Sequence, residues 1–505
     1  MRVPVAPEPA AGRLRPLAIR IAVSVLLVAP CFWQSRIQAG DLSSHIYNSW
    51  LAQLIEGGRA DGLVLVRQST NVLFDLVLAR LFAAFGAEAA QRIAVSAAVM
   101  VFCWGAFAFV SRAGRKLAWR LLPCVAMFAY GWVFHMGFFN FYLAMGLAMW
   151  AMATAWKGDA KGIATAAVLL TLASTAHALP VAWAGSLIAY VAVARRIAPR
   201  RRALLVVFSL CLIAGAHLFL AQGFVSRWSP QQFSLSTGAD QMWVFGPKYY
   251  LILLGMLLFW GMLFLDLMHQ RGALRIVLDI PFQFCLLSAV CVIALPSAIL
   301  LPGYDHALVY IAERMSLGVG VCVCAMLGSV RPKPWERAGI AVLATVFFCF
   351  LYFDERALNR FEAEMENVVA GLPAGTRVVS GVSDTASRGN ALAHVVDRVC
   401  IGRCFSYANY EPSTAQFRVR VTGPNPHVAH TYADSYALQT GAYIVRETDP
   451  PLTKIGLGVG GQLVVTPLEV GKPCGTTSYN PFPKWIGPLR DSAQLASWRR
   501  IADSL

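Results

Sequence analysis

The 505-residue chain is 57% hydrophobic and only 14% charged, with a mean hydropathy of +0.56, which excludes an ordinary water-soluble globular protein and points to a polytopic membrane protein. Its formal charge of +16 is not a nucleic-acid signature. Lys and Arg outnumber Asp and Glu by 28 to 13 in residues 1–353 but only by 15 to 14 in residues 354–505, so the excess lies in the apolar part, where cytoplasmic loops collect it.

Arg13, Arg15 and Arg20 precede an apolar run from Ile21 to Trp33 that lacks a small-x-small cleavage signal, so it reads as an uncleaved first span. Eleven stretches approach the roughly 20 residues needed to cross a bilayer: 17–33, 93–111, 120–136, 138–156, 162–177, 179–194, 203–222, 249–268, 276–300, 307–329 and 338–353. The short pairs at 120–156 and 162–194 admit tilted or broken helices. With the N-terminus inside, the basic groups around Arg112 to Lys116, Lys157 and Lys161, Arg195 to Arg202, Arg271 and Arg275, and Arg331 to Arg337 all fall in the cytoplasm. The outer connections HMGFFN, TAHALP and GYDH hold no Lys or Arg. This asymmetry predicts an inner-membrane protein with its C-terminal region, 354–505, in the periplasm.

The first outer loop, 34–91, carries GDLSSHIYNSWLAQLIE at 40–56. Leu42, Ile46, Trp50 and Leu54 fall on one helical face and Asp41, His45, Ser49 and Gln53 on another, which predicts a helix lying on the membrane with its apolar stripe in the headgroup layer. A second apolar helix, 71–86, is interrupted by Asp75 and Arg80 and reads as a surface or re-entrant segment. The outer loop at 223–248 is punctuated by Gly, Pro and Ser, with Trp228 and Trp243 placed to anchor it as a lid. From 354 onward a helix, DERALNRFEAEMENVVAGL, and the strand-like runs TRVVSGV, FRVRV, AYIVRE and QLVVTPL predict an α/β or α+β domain. Nine of the twelve cysteines lie in or beside apolar spans as small packers, while Cys400, Cys404 and Cys474 lie in this domain. A bridge from Cys400 or Cys404 to Cys474 would constrain more chain than one between the first two. A zinc site would need His394 or His427 as a fourth ligand.

Ionisable residues gather at the outer side of this topology: His45, Asp75, His135, His177, His217, Asp305, His306, Glu313 and Arg314. Such groups are costly at membrane depth, so the set predicts a polar cavity opening outward, with Arg314 as a phosphate ligand. Blander readings stand beside each: Asp41 as a helix N-cap, His135 and His177 as interfacial residues, FFNFY at 138–142 as an aromatic belt, and 407–420 as an ordinary strand-turn surface.

An acid just past the first span, AGDLSSH ending at His45, a long first outer loop with surface-lying helices, about eleven spans and an extracytoplasmic C-terminal domain together resemble the GT-C class of membrane glycosyltransferases. The resemblance implies transfer of a sugar from a polyprenyl-phosphate-linked donor to an extracytoplasmic glycan, lipid or protein acceptor. Asp41 would be the base, Arg314 and His306 would contact the donor phosphate, and His45, His135 and His177 would line the cavity. Many members carry paired acids, whereas Asp41 is followed by Leu42, so a second acid would be Asp75 or Asp305. A divalent metal ion, if used, would fall to Asp41 and His45. The competing readings are a transporter or lipid flippase, which predicts internal repeats not seen in the chain, and a non-catalytic membrane scaffold.

Overall fold

A computed structural model describes residues 10–482 except 385 and 415, with the backbone alone at 10–16. In chain order the elements are α1 (Ala10–Val28), α2 (Leu42–Glu56), β1 (Leu63–Leu65), α3 (Leu73–Ala113), α4 (Leu122–Ala129), α5 (Trp132–His135), α6 (Phe139–Ala155), α7 (Ala160–Ala176), α8 (Ala178–Arg196), α9 (Arg202–Gly223), β2 (Val225–Arg227), α10 (Tyr250–Arg271), α11 (Ala273–Val277), α12 (Ile280–Ala294), β3 (Ala298–Leu300), β4 (Leu308–Val309), α13 (Ile311–Leu327) and α14 (Pro334–Ala370). The C-terminal region follows with β5 (Arg377–Ser380), β6 (Val382–Asp384), α15 (Val395–Val399), β7 (Phe405–Ser406), β8 (Val419–Val421), α16 (Tyr432–Thr440), β9 (Leu452–Leu457), β10 (Leu463–Pro467) and β11 (Thr477–Tyr479).

Helices occupy all eleven expected positions, but only five among the described residues are long and apolar enough to cross a membrane: Leu73–Ala113, Ala178–Arg196, Pro199–Gly223, Pro247–Arg271 and Pro334–Ala370. The expected span at 120–136 is broken into α4 and α5, and the one at 276–300 stops at Ala294 and turns into β3. α3 is two helices joined at Gly86, whose φ of 78° and ψ of 173° suit only glycine, so the 71–86 helix ends where the sequence places its end. α3 and α6 form the most extensive helix pair; Gly105 and Gly146 allow it, since a Cβ on Gly105 would stand 2.5 Å from the Gly146 carbonyl oxygen.

α2 departs most from expectation. Leu42 to Ser49 are all buried, so the helix is not a surface element with its stripe in lipid. Its apolar side packs into the core and its polar side meets the C-terminal region. There the Ser44 hydroxyl donates to Glu411 (2.8 Å), the Tyr47 hydroxyl accepts from the Ser406 N–H (3.0 Å) and Asn48 accepts from Asn409 (2.8 Å). Two polar surfaces satisfy each other, which makes burial of a mixed helix favourable.

The segment 223–248 is likewise not a lid. It winds through short 3-10 turns into the helices, burying Asp240 to Phe245, with Gln241 donating to the Ser316 hydroxyl (2.8 Å). Trp243 is inside and not at an interface.

The domain boundary expected at 353/354 falls within α14, which runs without interruption from Pro334 to Ala370. Its start is set by Pro334 at the first helical position and by Glu336 accepting from the Lys333 N–H (2.6 Å). Past residue 353 it carries a polar stripe that holds the segment leading to α2. Glu355 accepts from Trp33 (2.5 Å), Asn359 accepts from the Arg36 N–H (2.9 Å) and Glu362 accepts from Gln38 (2.8 Å). The C-terminal strands form a sheet in the order β10-β9-β5-β7, with β5 parallel to β9 and β7 and β10 antiparallel to β9. FRVRV does not join it: β8 pairs antiparallel with β1 of the first loop. AYIVRE contributes only an isolated bridge from Ile444 to Pro473. Cys400 bonds to Cys404 and Cys474 stays a buried free thiol, which reverses the expected pairing and removes two thiolates from any zinc site.

Candidate functional site

Asp41 is placed by its backbone. Gly40 N–H donates to the His135 carbonyl (2.8 Å) and Asp41 N–H to the Met136 carbonyl (3.0 Å), so the chain entering α2 is sewn to the turn after α5. That turn requires Gly137, at φ +82°, because a Cβ there would lie 2.4 Å from the Asp41 nitrogen. The Asp41 carboxylate makes no capping bond to its helix, so the N-cap reading fails and the group is left for the cavity beside it.

That cavity, about 250 Å³, is walled by Asp41 just before α2 and His45 within it, Asn71, Phe138, Asn140 and Phe141 around the start of α6, His177, His306, Leu308 to Tyr310, and Arg314 of α13. Tyr410, Glu411, Gln416, Phe417, Tyr432, Tyr436 and Gln439 of the C-terminal region complete it. Asn71 and Tyr310, both lining it, hold positive φ angles of 55° and 59°. For Tyr310 this costs about 1–2 kcal/mol, a local strain of the kind found at binding sites.

The charges sort into pairs and a remainder. His45 Nδ1 meets Asp75 at 2.5 Å, and the other Asp75 oxygen accepts from Asn140 at 2.7 Å. Burial opposes charge on His45, but Asp75, Glu411 and Asp41 outweigh it and hold the imidazole up at about 9. His394 Nδ1 meets Asp397 at 2.9 Å, and Asp397 accepts from the Ser406 hydroxyl at 2.5 Å. Burial again opposes its charge, and Asp397 prevails, setting it at about 9. Each histidine thus brings its own carboxylate. Burial lifts Glu411 to about 7, with the neighbouring His45 charge working the other way. What remains is Asp41, whose nearest cation is His394 Nε2 at 3.6 Å, and Arg314. The Arg314 guanidinium lies 3.7 Å over the Phe138 ring, and its Nε lacks a hydrogen-bond partner among the described residues. His306 is pushed down to about 4 by burial, with Arg314 adding to the effect, and its Nδ1 also lacks a partner among the described residues.

Five of the sequence-derived candidates therefore meet in one cavity: Asp41, His45, His177, His306 and Arg314. His177 is in addition the N-cap of α8, accepting from the Leu179 N–H (3.2 Å). Asp75 stands behind His45 in an adjoining recess. Three others do not join. His135 is buried against Glu355 (3.1 Å), Asp305 is exposed in its loop, and Glu313 turns away from Arg314, buried toward Ser297. A hundred-degree step between helix neighbours separates those last two. His394 and Glu411 were not picked out as site residues. The aromatic, amide-rich stretch 407–420 was the available signal for Glu411, and His394 stood out only as a zinc ligand.

No three His, Cys, Asp or Glu side chains gather into a metal-holding group among the described residues, and His45 Nδ1 is bonded to Asp75. Compared with family models, with curated proteins and with solved structures, the chain finds no match.

Proposed function

We propose that this protein is a membrane glycosyltransferase that moves a sugar from a polyprenyl-phosphate donor to an acceptor hydroxyl or amine at the outer face. The observation that carries the reading is the Arg314 guanidinium, which forms no ion pair with a carboxylate among the described residues, sharing one cavity with an uncapped Asp41 carboxylate. A guanidinium without a carboxylate partner suits a phosphate, and a carboxylate free of its helix suits a proton. In this reading the acceptor O–H or N–H loses its proton to Asp41 as its lone pair attacks the anomeric carbon. The bond from that carbon to the phosphate oxygen breaks on the opposite face, with inversion. The departing polyprenyl phosphate keeps the bonding electrons, and Arg314, with neutral His306 beside it, stabilises them. His394 orients Asp41, and His45 with Asp75 fixes the wall behind it. Tyr410, Tyr432 and Tyr436 line the cavity and offer ring faces for a sugar. The donor identity, the sugar and the periplasmic side of the C-terminal region belong to this proposal.

Native mass spectrometry of the detergent-purified protein tests it. Polyprenyl phosphate or its glycoside is expected on the wild type and on Asp41→Asn, and absent from Arg314→Gln. Ordinary phospholipid alone on all three proteins would overturn the reading.

A further inference from the structure

At the opposite end of α3 and α6 a second, larger recess opens between those helices and α1. About 1200 Å³ in volume, it is walled on one side by Ile21, Met100, Val101, Phe107 and Ala108. At its mouth stand Arg20, Arg112, Arg115, Lys116 and Lys157, with Trp104, Trp150 and Trp156 between them. Among the described residues no Asp or Glu lines it, and none of the five cations forms an ion pair with a carboxylate. A sixth cation, Arg195, stacks 5.0 Å over Trp156 at the rim. A bias of positive charge toward one membrane face needs only that the cations be on that face. It does not require five of them to converge on one groove whose other wall is apolar.

The spacing along α6 places this groove relative to the first cavity. Asn140 at one end of α6 lines that cavity, and Trp150, Trp156 and Lys157 towards and just past the other end line the groove, a rise of about 15 Å to Trp150 and about 25 Å to Lys157. The two sites thus lie towards opposite ends of α6. We propose that the groove binds an anionic phospholipid, with the phosphodiester head among Arg112, Arg115, Lys116 and Lys157 and an acyl chain along Met100, Val101 and Ala108. The tryptophans sit where the head meets the chain, and Trp104 and Trp150 are held there by bonds to Ser24 (3.2 Å) and the Val101 carbonyl (3.1 Å). Charge complementarity selects the lipid: a zwitterionic head brings its phosphate with a cation attached and so offers the cluster no net counter-charge.

Delipidated full-length protein is titrated with phosphatidylglycerol and, separately, phosphatidylcholine of the same chain length, and bound lipid is read by native mass spectrometry. Wild type should retain phosphatidylglycerol at least tenfold over phosphatidylcholine. The variant Arg112→Gln/Arg115→Gln/Lys116→Gln should lose about a hundredfold in phosphatidylglycerol retention, taking roughly fivefold per cation. A control, Arg275→Gln/Arg331→Gln/Arg337→Gln, removes the same charge from exposed basic residues that do not line the groove and should keep wild-type retention. Ala108→Trp fills the chain slot without touching charge and should also lose the lipid, which decides the matter if the triple variant fails to fold. Equal retention of both lipids by wild type, equal loss in the control, or full retention by Ala108→Trp would each overturn the proposal. Donor retention in the Arg314→Gln experiment is read on a different lipid at the other end, so the two proposals fail separately.

Discussion

α2 and α9 invert the usual relation between hydrophobicity and burial. α9 belongs to the most apolar span-length helix among the described residues, and its apolar stretch is not buried. α2 mixes Ser, His, Asn and Gln with its apolar residues and is buried from Leu42 to Ser49. In water the opposite is expected. In a membrane the lipid accepts the apolar helix at no cost, while a polar helix must find protein partners, and α2 finds them on both sides. Between these two helices burial tracks hydrogen-bonding need, and the cavity lies beside the buried polar one.

That contrast can be tested by substitution, most severely at the pin beneath α2. Arg398 is buried with both Glu362 oxygens on its guanidinium (2.6 and 2.5 Å) and with the Ile37 carbonyl and Gln91 as further acceptors. Glu362→Ala leaves that charge uncompensated and should destabilise the fold by about 3–5 kcal/mol. Measured by thermal unfolding, the double change Glu362→Leu/Arg398→Met should recover most of the loss. On α9, Leu212→Lys should cost about 3 kcal/mol of membrane insertion if its exposed face meets lipid. In a protein surrounded by water the same change would be nearly neutral, so an insertion assay that finds no cost breaks the comparison.

Glycines give a smaller and more local version. Gly137→Ala forces a Cβ against the Asp41 nitrogen at positive φ and should destabilise by about 2 kcal/mol while weakening donor retention. Gly215→Ala on α9 meets nothing within 4 Å and should be neutral or stabilising by up to about 1 kcal/mol. The gentlest probe is pH. His45 and His394 sit near 9 against an ordinary 6.5, and Glu411 near 7 against 4.5, so all three bind more protons folded than unfolded. The histidine contribution is complete below pH 6.5 and lost as pH rises through 9; that of Glu411 is complete below 4.5 and lost through 7. The melting temperature should therefore fall by a few degrees between pH 6 and 9.5. A smaller fall is expected in His45→Gln, and an unchanged or rising temperature would show that these pairs do not carry charge.

The helix positions were legible because long apolar runs and their basic flanks are local signals. Asp41, His45, His177, His306 and Arg314 were legible as one set because the expected topology puts them at one face. The burial of α2 was not, because its polar partners Ser406, Asn409 and Glu411 lie more than 350 residues away, and an amphipathic stripe looks the same against lipid as against protein. For the same reason β8 could not be assigned to β1, and His135 could not be separated from the cavity set, since Glu355 that claims it is 220 residues distant. Loop-closure reasoning favoured Cys474 as a disulfide partner, but proximity along one turn joined Cys400 to Cys404.

α14 works as a shaft with teeth. Its near end is seated at Lys333, where Nζ reaches Asp266 at 3.1 Å, and its far end meshes through Glu355, Asn359 and Glu362 with the strand of chain from Trp33 to Gln38 that delivers Asp41. Because a helix turns about 100° per residue, one residue added between Ala341 and Phe348 would rotate every tooth out of mesh while leaving the apolar shaft long enough to span. Point changes on the lipid-facing side of that shaft are tolerable; changes in its length are not.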